Sequence, residues 1–380
     1  MASSCPVPPH VSSRNAYLDH IRVLLTVLVV MHHTAITYGA DGGWFFKEVE
    51  GGSLSPLVRL IYMFVTTVDQ SYFMGFFFLL AGYFTPLSLA RKGTGAFLKD
   101  RFVRLGIPLA AFALVLAPLT ISFARLMVEG GTFFDGFYWI WIMHHYECGP
   151  MWFVQALLVF TLIYVVWAKT PFATAAARDD SPLPAHSVIL ASALATGLLA
   201  FGLRLAVPTG QNVFGMQIGY FATYVVLYYV GCRAARSGWL ERVELRHALP
   251  WIVVSGLCFI SLPFVAASCP DGSLFSGGWN RFALFYAMWE PFEAWGIILG
   301  LLWLSRRYLA RTNAFWAGLA KTAFPAFFVH APVLVAMTLA FHGWEAPALG
   351  KWLVVGSSAT ALSFAIGSVI VRLPGLRRVF

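Results

Sequence analysis

Long apolar runs alternate with short polar breaks along nearly the whole chain. Ten stretches hold the roughly 20 mainly apolar residues that a membrane-crossing helix needs. They fall at about 21–38, 69–90, 102–127, 150–168, 187–207, 217–235, 249–267, 281–304, 320–340 and 350–371. A separate short helix is expected at 56–68, ahead of the second run. No ten-residue segments alternate in the manner of a membrane strand, so the pattern predicts an all-α polytopic membrane protein of about ten transmembrane helices. Residues 131–149, "GTFFDGFYWIWIMHHYECG", are aromatic but too short to span, and predict a short outer interfacial or re-entrant helix. The organisation that follows is a tail at 1–20, a single membrane domain at 21–371 and a second tail at 372–380. Residues 169–186 form an inner linker.

Composition agrees with the pattern. The 380 residues are 59% hydrophobic and 11% charged, against roughly 25% charged in soluble domains. The net charge of +9 is read as topology rather than as a nucleic-acid footprint. With the N-terminus inside, 20 of the 26 Lys and Arg fall on inner loops and ends, Arg14 and Arg178 among them. The outside keeps six. This asymmetry follows the positive-inside rule and predicts two cytoplasmic termini. The polar first 20 residues and the long run behind them read as an uncleaved first span rather than as a signal peptide. The five cysteines include no C-x-x-C pair. Cys148 and Cys269 both fall on outer loops and could pair in an oxidising compartment.

Ionisable groups inside spans carry the functional signal, because they are costly there and tend to face a cavity. Arg22 and His33 on the first span are eleven residues apart, three turns plus roughly 20°, and therefore share a face. They lie about 16 Å apart along the axis, with Arg22 at the inner mouth. His32 points about 100° away. A snorkelling arginine and a helix-bonded histidine are the plainer alternatives. Arg101 and Arg104 stand at i and i+3 at the inner start of the third span, where an anion such as phosphate would relieve their opposition to the helix dipole; ordinary positive-inside charge is the alternative. His330 lies inside the ninth span between Pro325 and Pro332. Asp69, Glu290 or Glu293 could accept the second N–H of His33 and orient it. Either glutamate could equally pair with Arg204 or Arg281 for structural reasons.

Four phrases, "YLDHIRVLLTVLVVMHH", "FFFLLAGYFTPLSLARKG…FLKDRFVRLGIP", "GPMWFVQALLVF" and "FPAFFVHAPVL", resemble the membrane acyltransferase-3 superfamily. Within it they are similar to the branch of glucan-biosynthesis protein C. The resemblance covers nearly the whole chain. It implies ten spans in a bacterial inner membrane and transfer of an acetyl or succinyl group from cytoplasmic acyl-CoA, the donor substrate, to a glycan hydroxyl outside. Matched by position, Arg22 and His33 correspond to the family's first-span pair, and Arg101 and Arg104 to its R-x-x-R pair. Many members carry an acid a few residues before a Ser-Gly in span two; here Gly75 and Ala81 stand in those places, with Asp69 as a substitute acid.

The expected chemistry puts His33 as general base, aided by Glu290 and His330. Arg22, Arg101 and Arg104 hold the donor phosphates, Asp69 and Trp152 meet the acceptor, and Trp152 N–H, a tyrosine or His330 serves as the oxyanion partner. A covalent acyl-histidine is the other route. No metal, permanently bound cofactor or nucleic acid is expected, and a homo-oligomer is compatible with the reading. A proton-coupled or sugar transporter with mid-membrane histidines is the rival class, and a structural subunit of envelope-glycan assembly a third.

Overall fold

The computed structural model describes residues 16–170 and 181–380. The remainder of the expected first tail and the centre of the inner linker lie outside them, with Cys5, Arg14 and Arg178. Among the described residues, ten long helices occupy the ten predicted positions: α1 Ala16–Thr37, α2 Pro56–Lys92, α3 Thr94–Arg125, α4 Gly149–Trp167, α5 His186–Ala206, α6 Phe221–Ser237, α7 Leu245–Ala267, α8 Arg281–Tyr308, α9 Ala314–Ala340 and α10 Ala348–Ile370. Eight of them are long and apolar enough to cross a membrane on length and composition alone. The other two are α6, with 17 residues, and α8, which carries Glu290 and Glu293 in its buried middle.

The separate helix expected at 56–68 does not exist. Its residues are the first turns of α2, which runs unbroken for 37 residues. Asp69 and Gln70 mark no boundary because both lie against neighbouring helices, where a polar side chain finds partners. Ser55 opens α2 by accepting from Val58 N–H, ahead of Pro56 in the first turn.

Helix α1 lies in the interior of the bundle, against α2, α8, α9 and α10. The α2–α6 contact is set by two glycines. A Cβ on Gly82 would sit 2.2 Å from the Tyr228 carbonyl oxygen, and one on Gly231 would sit 2.1 Å from that of Leu79. Small residues allow such close backbone approach between membrane helices. The expected outer interfacial helix appears. Asp135–Phe137 continues into a π-helical turn, Tyr138–Ile142, whose Tyr138, Trp141 and Ile142 are exposed, as an interfacial helix requires. At the other pole the chain turns at Pro374–Gly375 after α10, with Gly375 at φ +88°.

Helix α3 is irregular in two places. Phe102–Gly106 and Phe112–Leu116 are π-helical turns, a feature that often marks functional positions. Cys148 and Cys269 are free thiols, which overturns the disulfide expectation. Cys269 Sγ instead donates to the Asp271 carbonyl at 3.0 Å, while Cys148 is buried beside Gly215.

Candidate active site

Four loops at one pole, those following α1, α3, α5 and α7, enclose a cavity of about 920 Å³. Helix α1 contributes Val29, His32, His33 and Ile36 to its wall, and α2 contributes Thr66, Thr67 and Gln70. The charged residues of the lining are Asp41 and Glu147; no Lys or Arg is among its residues. Amides and aromatic rings make up much of the remainder, including Gln217, Asn212, Trp44, Trp152, Tyr224 and Tyr286.

His33 and His330 meet across the α1–α9 contact. His33 Nδ1 is 3.1 Å from His330 Nε2, with 12° between the ring planes. His330 Nδ1 is 2.5 Å from the Phe327 carbonyl oxygen. A carbonyl only accepts, so the neutral His330 ring carries its proton on Nδ1 and offers a lone pair at Nε2. His33 must then donate from Nδ1, which leaves the lone pair of the dyad on His33 Nε2. Pro332 supplies no N–H to this stretch of α9, which loosens the helix next to the Phe327 carbonyl that fixes the relay. Above His33 lies Trp44, its ring 4.0 Å away and 14° from parallel.

Trp44 was not distinguished by the sequence pattern, where it is one aromatic residue in a polar loop. Its indole Nε1 is buried without a hydrogen-bond partner among the described residues. The loop is held by Glu48, whose N–H donates to the Thr37 carbonyl at 2.8 Å and whose carboxylate pairs with Lys351 of α10. The only signal in sequence was the Gly42–Gly43 pair that lets the chain turn back over α1.

The expected site residues divide into those gathered here and those placed elsewhere. His33, His330 and Trp152 are gathered; Trp152 lines the cavity and stacks on Tyr224 at 5.6 Å. Asp69 is not on the cavity wall. It lies behind it, with Oδ2 3.7 Å from His32 Nδ1. The expectation that it orients His33 fails because adjacent helix residues point about 100° apart. Glu290 also lies away from the dyad. It forms a buried ion pair with Arg204 of α5, the structural alternative left open by the sequence. The guanidinium of Arg204 donates from Nε to the Gly219 carbonyl at 3.0 Å and lies 5.1 and 5.0 Å from the rings of Tyr220 and Tyr286. The pair therefore braces the cavity wall from behind.

The three predicted phosphate-binding arginines are at the opposite pole. Arg22 Nη1 contacts Asp19 Oδ1 at 3.0 Å, and its guanidinium lies 4.7 Å over Phe84. It does not line the cavity that His33 lines, which reaches no further along α1 than Val29, and Thr26 below is buried. The face that the eleven-residue spacing gives them in common carries that cavity only at its His33 end. Arg101 stacks 5.0 Å from Phe97, with a buried Nε that has no partner among the described residues. Arg104 Nε lies 3.3 Å from Asp100 and is half exposed.

A lone-paired imidazole on the wall of such a cavity, with a second imidazole fixing its tautomer, can take a proton from a hydroxyl. No curated protein and no solved structure matches this chain. A family model described as an acyltransferase domain, that of the acyltransferase-3 family, matches residues 15–371; the chain belongs to that family and is a multi-pass membrane acyltransferase.

Proposed function

We propose that the protein takes an acetyl or succinyl group from acyl-CoA on the Arg-rich, cytoplasmic side and esterifies a hydroxyl of a neutral glycan entering the cavity from outside. The observation that supports this most is the His33–His330 contact with its proton order fixed by the Phe327 carbonyl.

In this reading an acceptor O–H gives its proton to His33 Nε2 as its oxygen attacks the thioester carbonyl. A C–O bond forms and the C–S bond breaks. The proton then passes from His33 to the departing sulfur, giving the ester and free CoA thiol. His33 keeps its Nδ1–H on His330 throughout, so the imidazolium is stabilised where it forms. The orphan N–H of Trp44 is placed beside this ring and is the better candidate for the developing oxyanion, with Trp152 on the wall meeting the acceptor. A lining of aromatic faces, amides and two carboxylates, without a cation, suits an uncharged polyol and disfavours an anionic one. The likeness to the glucan-biosynthesis branch supports a glucan as the acceptor and succinyl as the acyl group.

The test is transfer by the purified chain in lipid nanodiscs, with labelled acetyl- or succinyl-CoA and a neutral glucan oligosaccharide. Ester formation is expected, and His33→Ala should abolish it while the protein stays folded. Transfer by His33→Ala at the wild-type rate would remove the base from the mechanism. Glucan movement across vesicles without acyl consumption would favour the transporter reading.

A further inference from the structure

His32 and Asp69 take no part in the mechanism above, although His32 stands on the wall of the same cavity as His33. We infer that this pair is a subsite for the far carboxylate of a dicarboxylic acyl group, and that it makes the enzyme favour a succinyl donor over an uncharged one of equal chain length; this rests on the acyl-CoA reading above. His32 lies at the inner end of the cavity, where α1 contributes only Val29 beyond it. Its ring centroid is 5.7 Å from that of His33, with 88° between the planes. His32 Nδ1 is buried, has no hydrogen-bond partner among the described residues, and lies 3.7 Å from Asp69 Oδ2. Asp69 is itself buried, and its carboxylate also meets the Tyr72 hydroxyl. The titratable neighbours of His32 are therefore His33 on its own helix and Asp69 and Tyr72 on α2. Phe73 of α2 packs against the His32 ring at 4.9 Å.

A buried carboxylate needs a counter-charge close by. No Lys or Arg lines the cavity, and His32 with a proton on each nitrogen is the cation that the pair itself supplies. One proton shared between Asp69 and His32 makes the pair neutral, whichever residue holds it. With that proton on His32, Nδ1–H faces Asp69 behind the wall and Nε2–H is left to donate into the cavity. A carboxylate accepting from Nε2–H makes a charge-assisted bond, and no proton has to be added or removed. A methyl group in the same place leaves that N–H to water. Elsewhere on the wall the charged side chains are Asp41 and Glu147, which repel an anion, so its favourable place is beside the dyad. The spacing agrees. The carbonyl and carboxylate carbons of succinyl are three C–C bonds apart, about 4 Å when extended. With the carbonyl at His33, the far end reaches the ring 5.7 Å away.

Transfer by the full chain in lipid nanodiscs, with succinyl-CoA and butyryl-CoA compared, tests this. The two acyl groups have equal chain length and differ only in a carboxylate against a methyl at the far end. The readout is the ratio of their kcat/KM values within one protein, so a loss of folded enzyme cancels. The wild type should favour succinyl about tenfold to a hundredfold. His32→Phe keeps a ring and removes both nitrogens, and should bring the ratio close to one. Asp69→Asn keeps the shape and removes the counter-charge, and should lower the ratio about tenfold. His32→Gln offers an uncharged N–H and should fall between the wild type and the phenylalanine variant. Equal use of both donors by the wild type would overturn the inference while sparing the donor reading. So would a succinyl preference that neither His32→Phe nor Asp69→Asn alters, or losses shared equally by the two donors, which would mark the pair as packing alone. No consumption of any acyl-CoA by the wild type would remove both.

Discussion

Replacing His330 separates a relay from a packing role. The ring is fully enclosed, and its Nε2 is the acceptor for His33 Nδ1–H at 3.1 Å. His330→Leu fills much the same volume but leaves that N–H without a partner, which costs about 1–3 kcal/mol. The His33 ring is then free to place its proton on Nε2, the atom that must be bare to act as a base. If the loss falls on the transition state, where His33 becomes charged, turnover should drop about ten- to a hundredfold. His330→Gln presents a side-chain oxygen to the same N–H and should retain more activity than the leucine variant. The assay is steady-state transfer in nanodiscs with kcat and KM separated for each substrate, beside a thermal unfolding curve. A relay predicts a fall in kcat with little change in donor KM, and recovery with glutamine. Equal losses in both variants that follow their unfolding temperatures would show that His330 only packs, and the tautomer argument would be lost.

The other expectations concern the frame around the dyad. Arg204→Met should destabilise the protein by about 3–5 kcal/mol, because it strands the buried Glu290 carboxylate; the double variant Arg204→Met/Glu290→Leu should recover most of that in thermal unfolding, and a double variant no better than the single would argue against a buried pair. Gly82→Leu should disrupt the α2–α6 contact, since even a Cβ there meets the Tyr228 carbonyl at 2.2 Å; unaltered unfolding would mean that the helices are further apart. Burial pushes the Cys148 thiol up to about 11, so at pH 8 it should stay protonated and resist alkylation while the less enclosed Cys269 reacts. Equal labelling, or a mass-spectrometric Cys148–Cys269 bridge, would contradict this.

The ten helices were legible because length and apolarity mark them and because charge alternates between their ends. His33 was legible because an imidazole inside an apolar run needs a polar neighbour. Its partner was not, since the His33–His330 contact joins residues 297 apart and several groups could have satisfied the same need. Asp69 and Glu290 show the limit from the other side. Each was recognised as a buried acid in want of a partner, but the partner depends on helix rotation and packing, which gave His32 to one and Arg204 to the other. Trp44 escaped because its position depends on how a glycine-containing loop folds back, held from a distance by Lys351.

The floor of the outer cavity, where Val29, Phe73, Met74 and Phe327 line it, has a bioenergetic consequence. In the proposed reading the enzyme draws reactants from two compartments across an electrochemical gradient, and a continuous water column beside two imidazoles would short-circuit it. On that reading the greasy side chains between the imidazoles and the arginines serve as electrical insulation, so that a chemical group is handed across while ions stay where they are.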